Sequence, residues 1–211
     1  MEQIVNRVRN MVGICWESFS AKVGSGLIAV NKEASMQLQF AYILKNALDL
    51  TIYNDDETVE LELETAIHVN GRLRECDIVI QITKGEIELY LPIEMKCYKE
   101  YASSGGKRGA SDIFMKDVYQ DLELLESYSK TTKYTNGISL VMTDFRGLVF
   151  PETKRGKKWD YDISEGTFVE AETIKGTPIG GYDVNIALTK SYCFNWVQIN
   201  KYYFLKLESN D

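Results

Sequence analysis

Hydrophobic and polar residues alternate from Ile87 to Cys97. Ile87, Leu89, Leu91, Ile93, Met95 and Cys97 fall on one face of an extended chain, and Glu94 and Lys96 fall on the other. The run from Cys76 to Ile82 also alternates, with Cys76, Ile78, Ile80 and Ile82 on one face and Asp77 on the opposite one. The short Thr83-Lys84-Gly85-Glu86 link predicts that the two runs form a hairpin, with Asp77 and Glu94 on neighbouring strands. Thr58 to Val69 reads as a strand before this pair, and Gly137 to Thr143 as one after it. Pro92 lacks an amide proton and predicts a bulge or an edge position there.

Elsewhere the period lengthens. From Lys32 to Leu48 the apolar residues Met36, Phe40, Ile43, Leu44 and Ala47 have amphipathic-helix spacing, with Glu33 and Gln37 four apart on one stripe. Ser111 to Tyr128 reads as a second helix with Ser111 as its N-cap. Ser191 to Ile199 and Tyr202 to Leu207, joined by Asn200-Lys201, predict a terminal hairpin rich in aromatic rings. These rings suit a core or a subunit contact.

Composition narrows the classes. With 211 residues, 45% hydrophobic content and three prolines, one domain with a core of its own is expected. No apolar run approaches the roughly 18 residues of a membrane span, and the N-terminal residues contain no secretory apolar stretch, so a cytoplasmic protein without a membrane partner is expected. Cys15, Cys76, Cys97 and Cys193 have no paired spacing and read as reduced structural thiols. His68 is the only histidine, which sets aside Ser-His-Asp hydrolases and histidine-rich metalloenzymes. The stretch from Ser103 to Gly109 lacks the GxxxxGK[ST] pattern, so it reads as a mobile loop rather than a phosphate loop.

The candidate chemistry centres on Asp77, Glu94 and Lys96. Two carboxylates suit Mg²⁺, which takes hard oxygen ligands and keeps room for a substrate phosphate; Met95 could add its backbone carbonyl. Lys96 suits a role in positioning water and offsetting charge on the phosphorane. Asp77 followed by Glu94-Met95-Lys96 resembles the D…(D/E)xK signature of the restriction-endonuclease-like, or PD-(D/E)XK, nuclease superfamily, with Cys76 in place of the proline.

That resemblance implies an α/β fold with a core of helix, three-stranded meander, helix and strand, its mixed sheet flanked by helices. The core would span about residues 31–145 of a single 1–211 domain, with a C-terminal β extension over about 146–211. The resemblance also carries Glu33 over as an auxiliary metal ligand and Gln37 as its neighbour. On the second helix, Gln120 or Lys116 would meet the phosphate or the attacking water. The implied activity is Mg²⁺-dependent hydrolysis of DNA phosphodiesters, with Mn²⁺ as a substitute, in bacterial or phage DNA processing, repair or defence. A homodimer is compatible with it.

The formal net charge of −7 argues against a generic nucleic-acid coat. Positive charge is nevertheless grouped at Lys107-Arg108 and at Lys154-Arg155-Gly156-Lys157-Lys158, which with Lys116 are the expected DNA-contacting residues. The alternatives are a catalytically inactive nuclease-fold protein that binds nucleic acid or supports assembly, and an unrelated α/β interaction protein in which Glu94 and Lys96 form a surface ion pair.

Overall fold

A computed structural model describes residues 1–209. Four helices, α1 (Glu2–Gly24), α2 (Glu33–Leu48), α3 (Ser111–Ser129) and the short α4 (Arg146–Val149), accompany ten strands. The long strands are β1 (Glu57–Val69), β2 (Arg72–Lys84) and β3 (Ile87–Tyr98), followed by β4 (Ile138–Thr143). Shorter strands complete the chain: β5 (Phe168–Val169), β6 (Thr173–Lys175), β7 (Ile186–Leu188), β8 (Tyr192–Cys193), β9 (Val197–Ile199) and β10 (Tyr202–Leu207).

The central sheet has the order β1-β2-β3-β4-β10-β9; β3 and β4 are parallel and every other neighbouring pair is antiparallel. Both hairpins of the meander use two-residue turns whose glycines supply left-handed backbone: Asn70-Gly71 (φ 49 and 74) and Gly85-Glu86 (Gly85 φ 59). The predicted succession of helix, three strands, helix and strand is therefore observed from α2 to β4. The parallel pairing of β4 follows from the crossover through α3.

The sheet is covered on both faces. On one, Met36, Phe40 and Leu44 of α2 and Val8, Val12 and Phe19 of α1 pack on Ile78, Ile80, Leu91, Ile93 and Met95. On the other, Met115, Val118 and Leu122 of α3 meet Val141, Tyr203 and Leu205, together with residues from the short C-terminal strands. Gly137 permits the close fit of β4 beneath α3, since a Cβ there would stand 2.4 Å from Leu125 Cδ2.

Several expectations need correction. Helix α1 was not foreseen, although its buried Ile4, Val8, Val12, Cys15, Trp16 and Phe19 follow helical spacing. Ser111 is the first residue of α3 rather than its cap; the preceding Ala110 is left-handed (φ 62). The C-terminal segment is not an appendage, because β10 pairs with β4 inside the central sheet. The expected 191–199 strand is two pieces, β8 paired with β5 and β9 paired with β10 across Asn200-Lys201.

Pro92 is central, opposite Val79, and neither at an edge nor in a bulge. Tyr90 donates its amide to the Lys133 carbonyl on the β4 side (2.8 Å), so the nitrogen two residues on faces that side too. Since β4 begins only at Ile138, opposite Ile93, the missing proton breaks no β3–β4 ladder bond.

Cys76 does not share the face of Ile78: it clusters with Val79, Leu125 and Tyr128, whereas Ile78, Ile80 and Ile82 join the α1/α2 core. The alternation slips at Asp77. There the β1–β2 register is the same on either side, Leu63↔Ile78 and Thr65↔Cys76, but Glu64, whose φ is 52, and Asp77 between them do not pair, and β2–β3 pairing ends at Ile78↔Ile93. Such a local break re-aims side chains, as β-bulges do beside functional sites.

Candidate active site

The break in the sheet builds the site. Beyond Ile93, β3 continues without β2 beside it, so the amides of Met95 and Cys97 lose their ladder partners on that side. Carboxylates take their place: Asp77 Oδ2 accepts from Met95 N–H (2.6 Å), and Glu33 Oε2 at the start of α2 accepts from Cys97 N–H (3.2 Å). In an extended strand a residue's N–H and C=O point to the same side, so the Met95 carbonyl faces the gap that Asp77 occupies.

Glu94 lies close enough to Asp77 for the Asp77 charge to raise its carboxyl, so two acids crowd one point of the sheet. Glu94 also accepts from Tyr128 OH (3.1 Å). Lys96 Nζ lies 3.3 Å from Asp121 Oδ2 and 3.5 Å from Glu33 Oε1, placing one ammonium among several acids. The Lys96–Asp121 ion pair falls short of well-formed hydrogen-bond geometry at Oδ2. On the rim, Gln37 Nε2 donates to Glu64 Oε1 (2.6 Å) and to the Asp77 carbonyl (2.8 Å), locking α2 to the β1–β2 break.

The electrostatics follow from burial and crowding. Burial raises the Asp77, Glu94 and Glu33 carboxyls above their ordinary range, and neighbouring acids raise them further. Asp121 is raised chiefly by burial, against the opposing pull of Lys96. For Lys96, burial disfavours the ammonium, but Asp121, Glu33, Asp77 and Glu94 more than offset that effect and hold it above the usual lysine value. Lys96 is therefore a fixed positive charge at neutral pH.

Of the expected site residues, Asp77, Glu94, Lys96, Glu33, Gln37 and the Met95 backbone converge. Gln120 does not join them. Its Oε1 accepts from Lys116 Nζ (3.1 Å), Lys116 also pairs with Asp117 (2.5 Å), and both Lys116 and Gln120 line a separate groove on the α3 surface. Sequence reasoning missed Asp121, Tyr128 and Glu64. Asp121 had a legible signal, since it falls three residues after Val118 and four before Leu125, within the apolar stripe of α3.

An opening of about 310 Å³ leads to Glu33 and Lys96 and is also lined by Arg108, Tyr98 and Asp117. Arg108 Nη2 donates to the Asn31 carbonyl (3.2 Å), and Lys107 pairs with Glu100 (3.1 Å). In the second basic group, Lys154 pairs with Asp162 (2.5 Å) and Lys158 reaches Ser111 Oγ at the start of α3 (3.4 Å), leaving Arg155 and Lys157 as exposed charges.

Among the described residues no group of three or more His, Cys, Asp or Glu side chains forms a ready-made metal cage, and no helix is long and apolar enough to cross a membrane. All four cysteines are free thiols, Cys15 and Cys76 buried. No family model, curated protein or solved structure matches this chain.

Proposed function

We propose that the protein is a Mg²⁺-dependent nuclease that hydrolyses DNA phosphodiesters, with a core of the restriction-endonuclease-like kind. The observation that carries this reading is the convergence of Asp77, which holds the Met95 amide, with Glu94 at the point where β2 leaves β3, with Lys96 two residues further on and Glu33 on α2 alongside. A site for a hard cation needs only one or two carboxylates when a substrate phosphate completes the shell. Asp77, Glu94 and the Met95 carbonyl would hold the ion, with Glu33 as an auxiliary oxygen donor. The two carboxyls, both raised by burial and Glu94 further by the charge of Asp77, mark where a divalent charge is best compensated.

Bound Mg²⁺ supplies positive charge to phosphate oxygens and makes water a stronger acid. The chain's own residues do the remainder. Lys96, fixed by Asp121 and Glu33, presents a compact charge to the developing phosphorane and is too basic to take a proton. Tyr128 holds Glu94 by its hydroxyl, and Gln37 holds the backbone of Asp77, so both carboxylates keep their aim before substrate arrives.

A second reading, a catalytically inactive nuclease-fold protein that binds nucleic acid or supports assembly, has one observation in its favour. Asp77 and Glu33 each terminate a β3 amide, which gives both carboxylates a structural use without metal. Incubation with plasmid, linear duplex and single-stranded DNA in Mg²⁺, Mn²⁺ or EDTA separates the two. Cleavage in either metal, abolished by EDTA and by Glu94→Gln, supports the nuclease; an intact substrate set under every condition supports the inactive relative.

A further inference from the structure

Beside the acidic site, on the surface of α3, lies a groove of about 610 Å³. It is lined by the start of β2, where Arg72 and Arg74 follow the tight Asn70-Gly71 turn, and by the 179–186 segment, where Tyr182 is 78% exposed beside the left-handed Gly180-Gly181 pair. Lys116 and Gln120 of α3 also line it. Among the described residues no carboxylate lies within ion-pair distance of Arg72 or Arg74, whereas Lys116 is tied to Asp117. Two acids also line the groove: Glu123, whose Oε1 already accepts from Ala187 N–H (2.9 Å), and Asp183.

The groove is separate from the site but adjoins its opening. Ile113 lines both it and the opening onto Glu33 and Lys96. Arg74 precedes Asp77 by three residues on β2, roughly 10 Å at about 3.3 Å per residue. Two unpaired guanidiniums suit phosphate oxygens, which they can grip bidentately. An exposed tyrosine ring in a groove partly lined by the apolar Ile113, Ile179 and Ile186 suits the face of an unpaired base. A duplex keeps its bases stacked inside and offers such a concavity only its backbone.

On the premise of the nuclease reading, we infer that this groove receives a single-stranded segment of the nucleic acid next to the scissile phosphate, with Arg72 and Arg74 on its phosphates and Tyr182 stacked on a base. The preferred substrate is then DNA with an unpaired end or flap rather than a continuous duplex.

The test is fluorescence anisotropy in EDTA, where cleavage cannot occur, with a labelled single-stranded 12-mer and the matching blunt duplex. The wild type should bind the single strand more tightly. The double variant Arg72→Gln/Arg74→Gln should lose roughly tenfold in affinity for the single strand and flatten its salt dependence by about 1.4 in log–log slope, the value for two phosphate contacts on a single strand. Tyr182→Ala should lose about fivefold or more with the salt slope unchanged. All three positions lie on the surface, and circular dichroism checks that the variants fold. Equal binding of single strand and duplex by the wild type, or unchanged single-strand binding by both variants, overturns the inference. Metal-dependent cleavage measured in parallel keeps the two readings apart. Cleavage with unaffected variants rejects the groove and retains the nuclease. Variant-sensitive binding without cleavage in any metal retains the groove as a single-strand site and rejects the nuclease.

Discussion

Lys96 Nζ lies 3.3 Å from Asp121 Oδ2, so the ammonium of the Glu94-Met95-Lys96 triplet is gripped by a carboxylate from the helical layer above the sheet. Asp121 is 6% exposed, and it faces a lysine that must also answer to Glu33, Asp77 and Glu94. One positive charge thus holds together a site that would otherwise be a buried cluster of like charges.

Lys96→Ala should therefore affect both stability and rate. Removing one partner of a buried ion pair strands the other, and a loss of about 3–5 kcal/mol in urea unfolding at pH 7 is expected. The deficit should shrink toward pH 5, because stranded carboxyls with raised folded-state pKa values take up protons as the pH falls. Cleavage by the folded fraction should fall about 10²-fold or more, the scale of one lost preorganised contact. Lys96→Arg should also cleave poorly, since a planar guanidinium does not place its charge at the same point.

Asp77→Asn and Glu94→Gln should abolish cleavage and weaken Mg²⁺ binding in calorimetric titration, yet leave the metal-free protein steadier at neutral pH. The sign follows from the direction of the shifts. A carboxyl raised in the folded state contributes stability below its unfolded pKa of about 4, and that contribution is lost as pH rises through the folded value. Wild type should accordingly gain stability on mild acidification, and each amide variant should gain less. Asp77→Ala should behave differently, because it orphans the Met95 amide and costs about 1–3 kcal/mol.

Glu57 offers the opposite pH dependence. Its buried carboxylate accepts from Tyr53 N–H (2.9 Å), Lys84 Nζ (2.9 Å), Asn54 Nδ2 (3.0 Å) and Arg7 Nη2 (2.6 Å), and these bonds, the Tyr53 amide foremost, hold its pKa far below the ordinary range. The stability it contributes is fully present above pH 4.5 and is lost as the pH falls toward its depressed folded value. Glu57→Gln should lower the thermal midpoint at pH 7, with a smaller gap from wild type at pH 3. A constant gap across that range would mean that packing rather than charge sets the effect.

Within the basic loop the structure separates the cations. Replacing Arg155 and Lys157 with glutamine should lower the salt slope of duplex DNA binding by about 0.9 for each phosphate contact they make. Lys154→Gln should change it less, because Asp162 already neutralises that ammonium. Equal effects from all three would identify a diffuse field rather than specific phosphate contacts.

Local pattern alone determined much of this protein. Period-two runs gave β2, β3 and their facing at Leu91, Ile93 and Met95, the helical stripe of Met36, Phe40 and Leu44 gave α2, and the succession from α2 to β4 was legible throughout. The strand positions of Asp77, Glu94 and Lys96 came from the same signal, because side-chain direction in a regular strand follows parity, a rule that Cys76 breaks where the alternation slips. Tertiary structure decided what parity cannot carry. The slip at Asp77, the ending of β2–β3 pairing at Ile93 and the capture of the freed Met95 and Cys97 amides by Asp77 and Glu33 are agreements between segments up to 64 residues apart. The same is true of Asp121 reaching Lys96 while its neighbour Gln120 turns to another groove: on a helix one residue is a rotation of about 100°, and only the packing of α3 on the sheet selects which of the two enters the site.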